Sequence, residues 1–259
     1  MIPLRDDIPT RCVPFINYGL IVACVLVYLL EATSPDGGER IVFEYGMIPG
    51  RVTGQSAAAT LRIPDPERGI IREIDAPPSA VAPWATMLTC MFLHGGLMHL
   101  AGNMLFLYIF GDNVEDRYGH FGYLLMYLVS GLAAGVLHIV TGPGSEIPTV
   151  GASGAIAGVM GAYLLMFPHA RVMTLIPLGV FTQLVAVPAP FLLGIWFLMQ
   201  LFSAAGGAME AEGVAFWAHV GGFVAGLVLT WLLCQAGSLQ PEREFRHVPA
   251  WQRRRVPWN

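Results

Sequence analysis

The chain has 259 residues, 55% hydrophobic and only 12% charged, with a mean hydropathy of +0.59 and a formal net charge of -4. Soluble domains carry about 25% charged residues, so this composition excludes an ordinary soluble domain and points to an integral membrane protein. There is no basic excess and no nucleotide-binding or nucleic-acid motif, which argues against nucleic acid as a partner.

The apolar segments run on without the alternation of a membrane barrel, which leaves helices as the spanning element. Residues 1–12 form a short tail in which Arg5 and Arg11 stand beside Asp6 and Asp7. The acidic pair argues against a mitochondrial transit peptide, and the apolar run that follows lacks an A-x-A-like cleavage site. That run, Val13 to Leu30, is the first predicted span. A polar segment, 31–83, follows; it reads as a long first extracytoplasmic loop, either an ordered cap or a flexible insertion, with a turn at 64–69.

The second span lies within Met91 to Phe110, and Gly111 to Gly119 reads as a short charged turn. The third span runs from Phe121 to Val140, and the fourth from Ser153 to Phe167, stopped by Pro168. The fifth lies within Val187 to Phe202 and the sixth runs from Val214 to Cys234. A transmembrane core thus covers 13–236, and 237–259 is a polar tail ending in Arg253, Arg254 and Arg255. The expected architecture is an all-α membrane protein, a six-transmembrane-helix bundle.

The basic tail belongs on the cytoplasmic side, and six spans put both termini there. The loops Thr141–Thr149 and Ala204–Gly213 contain no arginine, as outer loops should. Spans two, four and six then descend from the outside. His94, His99 and Asn103, Ser153, and His219 all fall in the same outer half of the membrane. Span four is short: about 14 residues give roughly 21 Å, against a hydrocarbon core of about 30 Å. The loop before it, Thr141–Gly151, should dip inward as a re-entrant cap and leave Ser153 on the floor of a water-filled cavity.

Ser153, within Gly151-Ala152-Ser153-Gly154, begins a helix whose free N–H groups and dipole favour a developing oxyanion. Taken alone that tetrapeptide is more often a packing motif. A histidine at membrane depth is costly and points to function, so His219 is the candidate general base. Gly154 and Gly158 on span four, and Gly222 and Gly226 on span six, give two small-residue faces that let the backbones approach. His99 and Asn103 are four apart, share a helix face and can both donate to an oxyanion. His94 reads as a residue that fixes the loop entering span two. A zinc site is disfavoured by the five-residue His94–His99 spacing and the lack of a nearby carboxylate. Glu115 and Arg117 read as structural, capping helix ends and tying loop to helix. Every basic side chain is arginine, which removes any serine–lysine mechanism, and the four cysteines are scattered without a CxxC pair.

His94-Gly95-Gly96-x-x-His99-x-x-x-Asn103, Gly111-x-x-x-Glu115-x-x-x-Gly119, Gly151-Ala152-Ser153-Gly154 and Ala218-His219-x-x-Gly222-x-x-x-Gly226 together resemble the rhomboid family of intramembrane serine proteases in order and spacing. The resemblance covers about Pro83 to Leu233. It implies a six-helix core and a Ser–His dyad, with Ser153 as nucleophile, His219 as base, and His99 and Asn103 as oxyanion donors. It further implies lateral entry gated by the fifth helix, with single-span or other transmembrane proteins as substrates. Two positions depart from the pattern: Trp84 is followed by Ala85 where many members have arginine, and Ala157 stands where some place an aromatic against the histidine. Tyr163 and Trp217 are the candidates for orienting His219 in its place.

The expected function is intramembrane peptide hydrolysis through an acyl-enzyme, without cofactor or metal, in the lipid bilayer. The alternative is a catalytically inactive rhomboid-like binding or trafficking protein, which would more often have lost the serine or histidine. A transporter would carry repeats or paired intramembrane charges. The expected location is a bacterial plasma membrane.

Overall fold

The computed structural model of the chain describes residues 1–56, 60–65, 70–178, 181–205 and 215–242. In chain order these form β1 (Ile2–Asp6), α1 (Phe15–Thr33), α2 (Glu39–Tyr45), α3 (Pro49–Thr53), β2 (Thr60–Asp65) and β3 (Ile70–Asp75). A short helix α4 (Thr86–Thr89), flanked by 3-10 turns, leads to α5 (Leu97–Thr141) and α6 (Ser153–Met166). Then come β4 (Arg171–Leu178), β5 (Phe181–Pro188), α7 (Ala189–Ala205) and α8 (Phe216–Gln235).

The chain is mostly helical, but the all-α expectation is incomplete. β1, β4 and β5 form an antiparallel sheet in that order, with Asp6 opposite Val172 and Arg171 opposite Pro188. β4 has the period-two pattern of a strand: Val172 and Thr174 are fully buried, Arg171 is exposed and Met173 is half-buried. Val187, placed in the fifth span by hydropathy, belongs to β5; the helix starts at Ala189. β1 takes up residues expected in the N-terminal tail. The 31–83 segment holds α2, α3 and the β2–β3 hairpin, and is tied to the loop before α6 by Gly50 N–H donating to the Ser145 carbonyl (2.9 Å).

α1, α5 and α8 are long and apolar enough to cross a membrane; α6 and α7 are shorter apolar helices. α1 presents Asn17, Leu20, Cys24 and Glu31 as one buried stripe and exposes Val22, Leu26, Leu29 and Leu30. α5 has 45 residues, about 68 Å and more than twice the hydrocarbon thickness. It breaks at Gly119, whose φ of 69° favours glycine.

The predicted turn at 111–119 is therefore helix up to that break. Its polar residues stay helical because each finds a partner. Thr10 donates to Asp112, and Asn113 Nδ2 to Asp6 (2.8 Å). Arg117 pairs with Glu242 (2.7 Å) and lies over the Phe167 ring. Glu115, fully buried, accepts the N–H groups of Ile16 (3.0 Å) and Asn17 (2.8 Å) in the first turn of α1, together with the His120 ring. A carboxylate at that helix end meets both the free donors and the dipole.

α6 lies at the centre, with all but a few of its residues buried. It packs on α8 backbone to backbone: a Cβ on Gly222 would collide with the Gly154 carbonyl oxygen, and one on Gly226 with that of Gly158. On its other side, a Cβ on Gly154 would come within 2.6 Å of Ala134 Cβ on α5. The α6 and α8 glycines thus set how near those two helices lie. The polar tail beyond Glu242, the 206–214 stretch with the expected start of span six, and residues 66–69 of the expected turn lie outside the described residues.

Candidate active site

Gly151 has φ of 125°, a conformation that L side chains rarely adopt, and its N–H donates to the Cys90 carbonyl (2.9 Å). Two residues upstream, Thr149 exchanges backbone hydrogen bonds with Met47, and its hydroxyl lies 3.0 Å from His138 Nε2. Those contacts fix the approach to α6, which opens at Ser153. Its N-cap residue, Ala152, has no side chain to satisfy the first-turn N–H groups.

His219 sits in the first turn of α8. The glycine contacts between α6 and α8 bring Nε2 of His219 to 2.7 Å from Ser153 Oγ. Nδ1 of the same ring lies 2.7 Å from Gln200 Oε1 on α7. Trp196, one turn before Gln200, lies tilted against the imidazole at 5.8 Å, and Phe216 meets it edge-on at 6.4 Å.

His99 and Asn103 extend from the first turns of α5 toward Gly151. A Cβ at Gly151 would lie 2.9 Å from His99 Nε2, which crowds that ring, and 3.6 Å from Asn103 Nδ2, an ordinary contact. Asn103 Nδ2 is buried and has no hydrogen-bond partner. An orphaned buried donor beside a serine–histidine contact calls for an explanation in function. Ser153, His219, His99, Asn103 and Trp196 line one cavity of about 580 Å³.

Gly151 and Gly154 also line the cavity, whereas His94, Glu115 and Arg117 do not. His94 precedes α5 in a loop; its N–H donates to the Glu31 carboxylate (3.2 Å), its Nδ1 faces the Phe92 carbonyl, and its ring meets His99 edge-on. Glu115 and Arg117 serve the opposite end of the first α5 arm, as described above. Tyr163 and Trp217 are not what orients His219: the Tyr163 hydroxyl donates to Asp6, and Trp217 is absent from the rings around the imidazole. Gln200 and Trp196 stand against the imidazole instead. Sequence reading missed both, although one amide in an otherwise apolar helix was the available signal. Among the described residues, no three His, Cys, Asp or Glu side chains converge as a metal site.

Residues 82–236 match the family model described as the Rhomboid domain. The chain belongs to the rhomboid family. It is 30% identical over 167 residues to Rhomboid-like protein 11, chloroplastic, of Arabidopsis thaliana, a match covering 63% of this chain and 57% of that protein. To Rhomboid protein 1, mitochondrial, of Saccharomyces cerevisiae it is 28% identical over 165 residues, 62% of this chain and 45% of the relative. To Rhomboid protease GluP of Bacillus subtilis it is 40% identical over 100 residues, 39% of this chain and 19% of the relative. The aligned part is thus less than two thirds of each relative's length. The Ser153, His219, His99 and Asn103 cluster lies entirely within the matched rhomboid segment.

Proposed function

We propose that the chain is an intramembrane serine endopeptidase that cleaves transmembrane or juxtamembrane peptide bonds of membrane proteins. The observation that carries this reading is the 2.7 Å contact between Ser153 Oγ and His219 Nε2 at the wall of a cavity. A hydroxyl at that distance from an imidazole nitrogen can pass its proton as it attacks. Support also comes from the similarity to Rhomboid protease GluP of Bacillus subtilis.

In the proposed reaction Ser153 Oγ attacks the scissile carbonyl carbon while its proton passes to His219 Nε2. Negative charge collects on the former carbonyl oxygen, where Asn103 Nδ2 and His99 donate to it. The imidazolium returns its proton to the leaving amine, and an acyl-serine remains. Water, deprotonated by His219, then releases the acid and restores the serine. A substrate helix must open its hydrogen bonds to present that carbonyl, which favours segments containing glycine or proline.

In the same reading the core, 13–236, crosses the membrane six times, with the α5 break at Gly119 separating two spans and the loop before α6 entering the bilayer as a cap. Ser153 then faces the side opposite the two termini. The relatives named chloroplastic and mitochondrial do not fit a bacterial plasma membrane, whereas the relative from Bacillus subtilis is bacterial. The proposal therefore specifies a bilayer and a topology, without a named organelle.

The test is cleavage of a single-span substrate with a helix-destabilised upper half by the purified full chain in liposomes, beside Ser153→Ala and His219→Ala. Cleavage by the wild type alone supports the dyad. Wild-type protein that neither cleaves nor reacts with an activated fluorophosphonate at Ser153 would instead favour a non-catalytic rhomboid-like protein.

A further inference from the structure

We infer that Gln200 is the positioning residue for His219: its side-chain oxygen holds the Nδ1 proton, leaving Nε2 as the bare acceptor that Ser153 needs. The inference rests on the hydrolytic reading for its purpose, but its physical content is a tautomer that can be observed without turnover.

A neutral imidazole carries one proton on two nitrogens, and its neighbours decide which nitrogen holds it. His219 has a partner on each side, Gln200 Oε1 at 2.7 Å from Nδ1 and Ser153 Oγ at 2.7 Å from Nε2. The Gln200 oxygen can only accept. The proton must then sit on Nδ1, and Nε2 must accept from the serine hydroxyl. With the proton on Nε2 instead, the ring would donate to Ser153 and could not act as its base. Both ring nitrogens of His219 thus meet a neutral group, an amide oxygen on one side and a hydroxyl on the other.

The placement of Gln200 supports the assignment. Leu193, Trp196, Phe197 and Gln200 fall at i, i+3, i+4 and i+7 on α7, one face turned toward α8. Phe197 stacks on Phe223 of α8 at 4.5 Å, and Trp196 approaches Phe223 and the His219 ring. The opposite face, with Phe191, Leu198, Met199 and Phe202, is exposed. An amide in such a helix is costly unless it is hydrogen-bonded, and here the bond goes to the histidine. A neutral acceptor also avoids placing a permanent charge where water is scarce.

The bond joins two helices, so it makes the base depend on where α7 lies. α7 is only lightly buried: Ala189, Leu193 and Ala204 are its buried residues among those described. Displacement of α7 by a few ångströms would break the Nδ1 contact and free the ring to change tautomer.

The experiment uses the full chain labelled with ¹⁵N-histidine in detergent, with the His219 signals assigned by their loss in His219→Ala. The wild type should show a protonated Nδ1 and an unprotonated Nε2, and Gln200→Leu should show a mixture of tautomers. In kinetics, Gln200→Leu should lower kcat by about ten- to a hundred-fold, the scale of lost outer-shell orientation, with KM unchanged. Gln200→Glu, which keeps an acceptor, should recover most of that rate and move the acid limb of the kcat/KM profile to higher pH, because a carboxylate favours the imidazolium. A bare Nδ1 in the wild type would overturn the inference, as would a Gln200→Leu protein with wild-type tautomer and rate. If the wild type shows the expected tautomer yet never cleaves or labels, the hydrolytic reading fails and the positioning contact stands.

Discussion

Gly222 on α8 rests against the carbonyl oxygen of Gly154 on α6, with no space between them for a single methyl group. Gly154 follows Ser153, and Gly222 lies three residues beyond His219. The packing contact and the serine–histidine contact are therefore parts of the same helix crossing. Close backbone approach replaces the hydrophobic drive that lipid cannot supply between helices.

Gly222→Ala should force the two helices apart. Overpacking of a tight contact costs about 1–3 kcal/mol, and the contact here is backbone on backbone, which cannot yield by rotamer change. The expected result is a lower midpoint of thermal unfolding in detergent together with slower fluorophosphonate labelling of Ser153. Gly194→Ala on α7, where an added Cβ meets nothing within 4 Å, should leave the midpoint within experimental scatter. Equal effects from the two substitutions would show that the loss is general to helix glycines.

Asn103 gives the opposite separation of stability from activity. Its Nδ2 hydrogen-bonds no other group of the protein, so Asn103→Ala breaks no hydrogen bond of that nitrogen within the fold. The unfolding midpoint should hold or rise slightly. If that donor meets the oxyanion, kcat should fall by about 10²–10³-fold, the usual scale for one such donor, with little change in KM. A fall in KM-limited binding alone would assign Asn103 to substrate contact instead.

The serine–histidine pairing was open to sequence reading because a histidine in an apolar run is expensive and its depth could be compared with that of Ser153. The glycine spacing on the two helices was readable for a related reason: four-residue repeats of the smallest side chain define a face. Gln200 escaped because it is neutral and solitary, so hydropathy alone leaves its direction unknown. The charges of the 111–119 stretch exclude a lipid-facing helix and so predict a turn. What kept it helical was distant in sequence: β1 and the start of α1 bring Asp6, Thr10, Ile16 and Asn17 to those charges. The β4–β5 hairpin was hidden in the same way, since its apolar residues continue into α7 without a change in composition.

Asp6 supplies a pH prediction outside the membrane-spanning helices. Burial raises its carboxyl to about 8, with Asp112 and Asp7 adding to the rise and the Tyr163 hydrogen bond opposing it. Asn113 Nδ2 is the other polar group against the same oxygen. The folded chain therefore holds a proton that the unfolded chain, titrating near the ordinary 3.8, has released. Stability is full below about 4 and declines as pH rises through about 8, because folding takes up that proton over this window. Thermal unfolding midpoints measured from pH 5 to pH 9 should fall for the wild type, and Asp6→Asn, which keeps an acceptor without the titration, should flatten the decline. Parallel curves for the two proteins would place the pH dependence elsewhere.

Glu115 makes the last prediction, because its two oxygens are spent on backbone donors of another helix. It is fully buried and caps α1 from α5. Beside it, Asn17 Nδ2 donates to the Leu107 carbonyl and the Tyr123 hydroxyl donates to Asn17 Oδ1, so the same junction carries several buried polar contacts. Glu115→Ala would leave the half-buried Ile16 N–H and the buried Asn17 N–H without their acceptor. A lost cap costs about 0.5–2 kcal/mol and an unsatisfied buried donor about 1–3 kcal/mol, so a destabilisation of about 2 kcal/mol or more is expected in denaturant unfolding. Glu115→Gln, which retains one acceptor oxygen, should lose less. Because Glu115 lines no part of the cavity, Ser153 labelling per folded molecule should stay at the wild-type rate in both variants. Loss of labelling in well-folded Glu115→Gln would instead mean that the α1–α5 junction is coupled to the serine through α5.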